Sequence, residues 1–334
     1  MAEGLTSGSL DPREVKARVL ELAEPADQAL RDNLQSHVPF IEEVSGYIIF
    51  SGGKRLRPAL FMLAAAAAGG EPDPRLAAIF EYLHAATLLH DDVVDEAGLR
   101  RGRPAARVRY GNDAVILVGD FLFSKSYSLA ALAPDHRFIT ALTDCTTIMA
   151  EGQVLELLYT GDLELSRENY LRVIEAKTAV LLAAACQMGA IHAGASSELV
   201  DAFYAYGRKL GLAFQMVDDA LDYVGTEHEF GKPVGHDLAE GKITLPFLHA
   251  RDTLAPAARA RLLELAEQGA TAPAGLAEAR ELVRESGGVE HTFARAREEA
   301  AAAQAALGPV LAASQVRDLE ILWGLAHYVV DRRV

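Results

Sequence analysis

Apolar residues recur at intervals of three to four along most of the chain. Val15, Val19 and Leu22 show this spacing near the start, and the same period returns in later segments. It is the period of an amphipathic α-helix, and proline and glycine mark where the segments begin and end. The pattern predicts helices at about 12–35, 39–50, 58–68, 74–95, 113–132, 137–159, 167–193 and 197–224, shorter helices after 246, and an apolar last helix at 319–330.

One long stretch, 225–241, lacks any clear period. It contains Gly225, Gly231, Gly235 and Gly241, which indicates a mobile loop or lid. Elsewhere the pattern holds no convincing strand, linker or internal repeat. We therefore predict one all-α domain over residues 1–334, with residues 1–10 expected to be disordered.

Composition narrows the class of protein. Half of the 334 residues are hydrophobic, enough for a substantial core, and the net charge of −15 argues against a nucleic-acid binder. Cys145 and Cys186 show no pairing pattern, which fits buried, inert thiols in a reducing cytosol. The N-terminus lacks a basic start followed by an apolar core, so we expect no signal peptide and a cytoplasmic protein.

The most membrane-like window is 178–195, which is almost entirely apolar. Gln187 and His192 interrupt it, and Glu175 and Lys177 lie just before it. Alanine and glycine also lower its hydropathy. We therefore favour a buried helix over a membrane span.

Two aspartate clusters share the pattern DDxxD, and each follows an apolar helical run. The first contains Asp91, Asp92 and Asp95, and the second contains Asp218, Asp219 and Asp222. On a helix, the first and last aspartates of each cluster share a face, where like charges repel unless a cation lies between them. One such cluster is compatible with a solvated helix end. Two of them, each after a segment that should be buried, favour metal binding.

The donor atoms indicate which metal. Carboxylate oxygens without nearby cysteine, and with His90 as the only adjacent imidazole, favour Mg²⁺ over zinc. Mg²⁺ keeps several waters and prefers one or two carboxylates together with phosphate oxygens. Two facing carboxylate clusters would therefore suit a diphosphate held through bridging metal ions.

Basic residues concentrate in two loops. Lys54, Arg55 and Arg57 follow Gly52-Gly53, and the loop 96–109 contains five arginines. A charge run at a helix start is usually solvated surface when it stands alone. The first loop is not a Walker motif, because no glycine lies five residues before Gly53 and Arg55 replaces the serine or threonine.

Taken together, these motifs resemble the trans-isoprenyl (polyprenyl) diphosphate synthases. The resemblance runs in order across about 40–250, and the segment 83–102 is especially similar to bacterial octaprenyl diphosphate synthases. It rests on Gly52 to Pro58, His84, His90 to Asp95, Arg100 to Gly102, Gly119-Asp120, Glu151 to Gln153, Lys177-Thr178, Phe214-Gln215, the second aspartate cluster and Gly241-Lys242. The family implies a homodimeric, all-α helical bundle of the isoprenoid-synthase type around a deep central cavity.

The resemblance also implies roles for individual residues. Asp91 and Asp95 would bind two Mg²⁺ ions, and Asp218, with Asp222 near it, would bind a third. Asp92 and Asp219 would support these ligand shells. Isopentenyl diphosphate would be held by Lys54, Arg57, His84 and Arg101. The allylic diphosphate, farnesyl or geranyl, would be held by Arg100, Lys177, Lys232 and Lys242. Thr178 and Gln215 would lie near the reacting carbons.

The implied chemistry accounts for these residue types. Ionising an allylic diphosphate requires stabilisation of charge on the departing pyrophosphate, which metal ions, lysine and arginine supply in a water-poor cavity. The allylic cation then adds to the double bond of isopentenyl diphosphate. Thr178 and Gln215 could stabilise that cation through their dipoles. The loop 225–241 could close the cavity, with Lys232 reaching inward.

Product length can be read from the helix that precedes the first cluster. Ala86 and Thr87 lie about one turn before Asp91, where short-chain members of the family often carry a bulky aromatic residue. Small side chains there leave room for a product of roughly C40, up to about C50, of the kind used for quinone side chains and delivered to a membrane. Leu83 and Phe80 are candidates for a deeper floor, although ordinary core packing explains them equally well.

Two other classes of protein compete with this interpretation. A class I terpene cyclase would normally lack both the second DDxxD and the Gly-Gly-Lys-Arg-Leu-Arg-Pro segment. A non-catalytic subunit of a heteromeric synthase would tend to lose an aspartate cluster or the diphosphate-binding cations. The sequence retains both sets of residues, which favours an active synthase.

Overall fold

The fold was analysed in a computed structural model that describes residues 11–224, 235–268, 273–313 and 317–331. Helices hold 81% of these residues. Contacts divide the chain into two compact units. Unit 1 contains 1–145, 181–207 and 306–325, and unit 2 contains 146–180, 208–305 and 326–334. The single domain expected from the sequence stays a prediction.

The helices follow one another along the chain with short connections. They are α1 Pro12–Asn33, α2 Pro39–Ile49, α3 Leu56–Ala67, α4 Pro74–Val94, α5 Ala106–Tyr110, α6 Asn112–Ala130, α7 His136–Tyr159, α8 Arg167–Ile174, α9 Val180–His192, α10 Ser197–Val224, α11 His236–Ala239, α12 Leu245–Thr253, α13 Pro256–Glu267, α14 Pro273–Glu285, α15 Gly288–Ala306, α16 Gly308–Ala313 and α17 Arg317–Asp331. A π-helical turn, Glu175–Ala179, joins α8 to α9.

Unit 1 is built around α4, which contacts α1, α2, α3 and α6. Asp73 begins this helix by accepting a hydrogen bond from the Arg75 amide at 2.9 Å, with Pro74 in the first turn. Its buried side chains include Phe80, whose ring lies 5.6 Å from that of Phe61. Phe80 thus packs in the core of unit 1, and a part in product length stays a prediction. The position of α4 matters for function because its last turn carries the first aspartate cluster.

Helix α9 packs on α3 through small residues. A Cβ at Gly189 would overlap the Phe61 carbonyl oxygen and would lie 3.0 Å from the Ala64 Cβ. We therefore expect Gly189→Ala to lower the free energy of unfolding by about 1–3 kcal/mol, since neither backbone can yield without moving a helix. Chemical denaturation measures this change. Gly308→Ala, where no atom lies within 4 Å of the new methyl group, is the control and should be nearly neutral.

Unit 2 contains the π-helical turn and the second half of α10. Helix α8 begins at Ser166, whose hydroxyl accepts a hydrogen bond from the Asn169 amide at 3.1 Å. Helix α12 contacts α8, α13 and α14. Arg251 of α12 is buried and donates hydrogen bonds to the carbonyl groups of Leu163 and Leu165 at 2.8 and 2.9 Å. These bonds fix the entry into α8, which leads to the π-helical turn.

The structure differs from the predicted helices in three local features. Leu99–Arg100 and Arg103–Pro104 form an antiparallel hairpin of two strands, each two residues long, where no strand was predicted. Its turn residues Arg101 and Gly102 both have positive φ, 52° and 71°, as a tight hairpin turn of this hand requires. The predicted helix 167–193 is interrupted by the π-helical turn. Helix α11 lies within the expected loop 225–241, and residues 225–234 lie outside the described residues.

Within the described ranges, one helical segment, Arg167–His192, is long and apolar enough to cross a membrane. However, 78% of its most apolar window is buried inside the protein. Burial of this kind is typical of the core helix of a soluble protein. The preference for a buried helix over a membrane span agrees with this finding.

Candidate active site

The first aspartate cluster lies at the C-terminal end of α4 in unit 1. Asp91 and Asp92 are only 8% and 0% exposed, and the Asp95 amide ends the helix by donating to the Asp91 carbonyl oxygen at 2.8 Å. The Arg100 Nε donates to Asp92 Oδ1 at 2.5 Å. Asp92 Oδ2 is buried and accepts no hydrogen bond from any part of the chain that the structure describes. Arg100 compensates only one oxygen of Asp92. Because a buried carboxylate oxygen without a partner is costly, this helix end fits a metal ion nearby.

His90 fixes the end of α4 against α6. Its Nε2 donates to the Ile116 carbonyl oxygen at 3.2 Å and lies 3.5 Å from Asp120 Oδ1. The ring occupies the space over Gly119, where any Cβ would overlap it. The Gly119-Asp120 motif therefore gives the His90 ring the space and the polar contact that hold it in place. This contact sets the position of the aspartates that follow.

His84, also in unit 1, lies within the electrostatic influence of four arginines. Burial, followed by the charges of Arg57, Arg101, Arg100 and Arg55, lowers the pKa of His84 well below its usual value. The imidazole is therefore neutral at physiological pH and can donate one hydrogen bond. A dense group of guanidinium groups with a neutral donor among them is suited to a diphosphate anion.

Arg55 holds the preceding loop in place. It lies in the left-handed region at φ 49°, and its guanidinium contacts Asp27 Oδ1 and Glu81 Oε1, each at 2.6 Å. It also donates to the Ile49 carbonyl oxygen at 2.8 Å. Its donors are thus directed at the protein, so that Arg55 positions the loop that presents Lys54 and Arg57.

Arg101 connects the hairpin to the same loop. Its Nη1 donates to Ser51 Oγ at 3.3 Å and contacts the Gly52 carbonyl oxygen. The loop 51–57 and the hairpin 99–104 are therefore neighbours within unit 1. The predicted diphosphate-binding cations of these two loops lie in one region of the protein.

The second aspartate cluster lies near the C-terminal end of α10 in unit 2. Asp219 is buried, and its two carboxylate oxygens accept hydrogen bonds from the Tyr170 hydroxyl at 2.6 Å and from Gln215 Nε2 at 2.8 Å. Burial raises the pKa of Asp219 to about 7, although the bonds from Tyr170 and Gln215 oppose that rise. Both oxygens are thus engaged by protein donors. Asp219 supports the cluster, whereas Asp218 and Asp222 are the half-buried members suited to bind metal.

The segment that begins at Gly235 contacts this cluster. The Gly235 and Asp237 amides donate to the Asp222 carbonyl and Oδ2 oxygens at 2.9 and 3.1 Å. Burial, with the charges of Asp222 and Asp219, raises the pKa of the Asp237 carboxyl well above its usual value. Asp237 thus adds another carboxyl group beside the second cluster, a residue that the motif pattern did not indicate.

The π-helical turn carries Lys177 and Thr178. A Cβ at Gly152 would lie 2.6 Å from the Ala176 Cβ, and a Cβ at Gly211 would lie 2.5 Å from the Ala179 Cα. Two glycines from α7 and α10 therefore let neighbouring helices approach the turn closely. The Arg208 guanidinium also binds the Glu175 carboxylate through two hydrogen bonds of 2.7 and 2.5 Å. π-helical turns are frequent at functional sites, and these contacts fix this one.

A cavity of about 190 Å³ opens beside the turn, within unit 2. Lys177 Nζ contacts Glu156 Oε2, and Lys242 Nζ donates to Glu240 Oε2 at 2.7 Å. The cavity is lined by Glu156, Tyr159, Thr160, Leu165, Tyr170, Val173, Ile174, Lys177, Thr178, Gln215, Asp219, Asp237, Lys242, Ile243 and Thr244. It combines apolar walls with positive and negative groups, as a site for an amphiphilic diphosphate requires.

The donor set can be tested against Mg²⁺. Among the described residues, no group of three or more histidine, cysteine, aspartate or glutamate side chains forms a ready-made metal cage. Mg²⁺ is usually held by one or two carboxylates, with water and phosphate oxygens completing the shell. Both aspartate clusters offer oxygen donors at a helix end, so the residues fit a metal that binds together with a phosphate ligand.

Most of the predicted site residues can be located in one unit or the other. Unit 1 brings together the first aspartate cluster, His84, Arg57, Arg100 and Arg101, with Lys54 exposed at the edge of its loop. Unit 2 places Lys177, Thr178, Gln215 and Lys242 around one cavity. Lys232 lies outside the described residues. The motif pattern missed Tyr170 and Glu156, because a lone tyrosine or glutamate on an amphipathic helix carries no distinguishing signal.

Comparisons with known proteins show the family of the chain. Residues 38–283 match the family described as Polyprenyl synthetase. The chain is 41% identical over 306 residues to the octaprenyl diphosphate synthase of Escherichia coli (strain K12), covering 91% of this chain and 94% of that protein. It is 35% identical over 323 residues to the all-trans-nonaprenyl-diphosphate synthase (geranyl-diphosphate specific) of Rhodobacter capsulatus, covering 96% and 98%.

A solved structure shares the fold. The polyprenyl synthase from Caulobacter crescentus CB15, crystallised with calcium and isoprenyl diphosphate, superimposes with a TM-score of 0.89 at 41% identity. The match covers 96% of this chain and 98% of that one. The chain is therefore a member of the polyprenyl synthetase family, and its fold is the all-α isoprenoid-synthase fold.

Proposed function

We propose that this chain is a Mg²⁺-dependent, long-chain trans-polyprenyl diphosphate synthase. It condenses isopentenyl diphosphate head to tail onto an allylic diphosphate, farnesyl or geranyl, and makes a product of roughly C40 length for quinone side chains. The observation that carries the proposal is the complete set of two DDxxD clusters and diphosphate-binding cations in a chain 41% identical to an octaprenyl diphosphate synthase. A relative crystallised with calcium and isoprenyl diphosphate supports the combination of divalent cation and diphosphate.

The protein residues divide the work of the reaction. Asp91 and Asp95, with Asp218 and Asp222, would hold about three Mg²⁺ ions, whose charge would neutralise the departing pyrophosphate. Arg100, Lys177, Lys232 and Lys242 bind the allylic diphosphate, and their positive charge favours cleavage of its carbon–oxygen bond. Lys54, Arg57, His84 and Arg101 hold isopentenyl diphosphate. The allylic carbon then bonds to the terminal carbon of the double bond, and the proton lost in forming the trans alkene leaves with pyrophosphate.

A direct assay tests the proposal. The purified chain, supplied with isopentenyl diphosphate, farnesyl diphosphate and Mg²⁺, should release pyrophosphate and accumulate prenyl products that chromatography resolves by length. A chelator should abolish turnover, and added Mg²⁺ should restore it. Cyclic or linear hydrocarbons in place of prenyl diphosphates would instead identify a terpene cyclase.

Product length is expected to depend on Ala86. Ala86 and Leu83 are buried on α4, and Thr87 is half-buried with its hydroxyl bonded to the His84 carbonyl oxygen at 2.8 Å. Replacing Ala86 with phenylalanine adds bulk one turn before Asp91 and should shorten the main product by several isoprene units, as chromatography of labelled products would show. Ala78→Phe, two turns further from the cluster and equally buried, controls for overpacking. An unchanged product distribution in Ala86→Phe would refute the hypothesis that the side chain at this position limits product length.

Exposed apolar residues support assembly of the chain as a homodimer. In unit 2, Val154, Leu157 and Leu158 form one stripe on α7 and are 56%, 63% and 69% exposed. In unit 1, Leu117 of α6 is 67% exposed. Stripes of this kind mark interaction surfaces. We expect light scattering to give twice the mass of one chain for the wild type. The double variant Leu157→Glu, Leu158→Glu should give the mass of a single chain. A monomeric wild type would contradict the dimer.

We expect the enzyme and its product to be found in different places in the cell. A cytoplasmic enzyme would release a long apolar product that partitions into a membrane, where quinones are assembled. Fractionation of cells should find the enzyme in the soluble fraction and the prenyl product in the membrane fraction.

A further inference from the structure

Four side chains form a continuous chain of hydrogen bonds along the cavity of unit 2. The Tyr170 hydroxyl donates to Asp219 Oδ2 at 2.6 Å, and Gln215 Nε2 donates to Asp219 Oδ1 at 2.8 Å. At the other end, the Thr178 hydroxyl donates to Gln215 Oε1 at 2.8 Å. All four residues line the cavity. The chain thus extends from α8 through α10 to the π-helical turn.

The direction of each bond follows from the chemistry of its partners. The bonds from Tyr170 and Gln215 favour the ionised form of Asp219. Because its oxygens then only accept, Gln215 presents its NH₂ group to Asp219. The Gln215 carbonyl oxygen then faces Thr178 and can only accept. The Thr178 hydroxyl has one proton, which this bond uses. Its oxygen lone pairs therefore remain available to the cavity.

We propose that Tyr170 is the positioning residue that sets this direction, so that Thr178 presents oxygen lone pairs, and no proton, to the reacting allylic carbons. The inference rests on the proposed function, since lone pairs stabilise an allylic cation whereas a hydroxyl proton would repel it. Tyr170 takes no part in bond making or proton transfer. It acts through Asp219 and Gln215.

Tyr170 is suited to this role by its burial. Its side chain is 3% exposed, and its hydroxyl occupies one of the two Asp219 oxygens. That bond restrains rotation of the carboxylate and leaves Oδ1 directed at Gln215. Without it, Asp219 can turn, and Gln215 loses the fixed acceptor that orients its amide. Thr178 is then free to direct its proton into the cavity for part of the time.

A double-mutant cycle tests the inference. We expect Tyr170→Phe to lower kcat about tenfold while the KM values for both diphosphates change less than about twofold. Thr178→Val lacks the hydroxyl, so Tyr170→Phe should cost little further activity in that background. Thr178→Ser keeps the hydroxyl and should restore most of the sensitivity to Tyr170→Phe. A role in packing alone would instead give the same loss of kcat in all three backgrounds and would overturn the inference.

Tyr206→Phe is the matched control. Tyr206 is also buried, and its hydroxyl donates to the Leu322 carbonyl oxygen at 2.6 Å. This hydrogen bond lies within unit 1 and involves none of the four residues. Tyr206→Phe should lower the melting temperature by about as much as Tyr170→Phe does, without changing kcat. If the Thr178→Val rate is too low to measure, the kcat and KM values of Tyr170→Phe alone decide. A rise in KM at constant kcat in that variant overturns the inference. Absence of prenyl product from the wild type would instead refute the proposed function.

Discussion

Replacing Asp91 with alanine is expected to lower kcat by about 10³-fold or more at saturating Mg²⁺. Asp91 is the first aspartate of a cluster that would hold the metal ions neutralising pyrophosphate, and removal of one such stabilising group commonly costs this much. Steady-state kinetics with isopentenyl and allylic diphosphates measures the effect. Asp113→Ala, which removes the same charge from an exposed position at the start of α6, should leave kcat unchanged.

Asp91→Ala is expected to lose activity without losing thermal stability. Three carboxylates crowd the end of α4, so removing one relieves repulsion in the absence of metal. Asp91→Ala should therefore melt at the same temperature as the wild type, or higher, without Mg²⁺, and should gain less from Mg²⁺ with pyrophosphate. Retention of more than a tenth of the wild-type kcat would show that the first cluster is not the metal site.

Replacing Arg55 with methionine is expected to lower the free energy of unfolding by about 3–5 kcal/mol, because it leaves a buried carboxylate without its partner. The Arg55 and Glu81 side chains are only 6% and 7% exposed and lie 2.6 Å apart. Methionine has the same difficulty as arginine at positive φ, so the substitution tests the side chain rather than the backbone. Urea denaturation measures the change.

Two further variants check the cause of that loss. Arg261→Met removes an arginine from an exposed pair with Glu278 at 2.7 Å and should change stability far less. Adding Glu81→Leu to Arg55→Met removes the buried charge and should recover part of the lost stability. If the double variant is no more stable than Arg55→Met, the buried carboxylate is not the reason for the loss.

The helices could be predicted because each carries a local pattern. Pro12, Pro39 and Pro74 lie in the first turns of α1, α2 and α4, where proline is compatible with a helix. The hairpin at 99–104 could not be predicted in this way. Its turn depends on Arg101 at positive φ, and arginine gives no hint of that conformation. What holds Arg101 is its contact with the loop at Ser51 and Gly52, fifty residues earlier in the sequence.

The site could be predicted only as far as its linear motifs extend. Each aspartate cluster is contiguous, so its chemistry is visible in the sequence. Tyr170 and Asp219 are 49 residues apart, and no pattern on either helix shows that they meet. Arg55 lies inside a recognised motif, yet its ion pairs with Asp27 and Glu81 make it a structural residue rather than a ligand-binding one. Partners of this kind depend on how helices pack.

The π-helical turn also restricts how the gene can change length. A turn of this type holds one residue more than the corresponding α-helical stretch. Deleting one residue from 175–179 would leave the flanking helices in register, but it would replace the π-helical turn by a regular α-helical one. Tyr170 could then still reach Asp219, whereas Lys177 and Thr178 would no longer be presented by the widened turn. Single-residue insertions and deletions should therefore be absent from this segment in active relatives, although substitutions on its surface are tolerated.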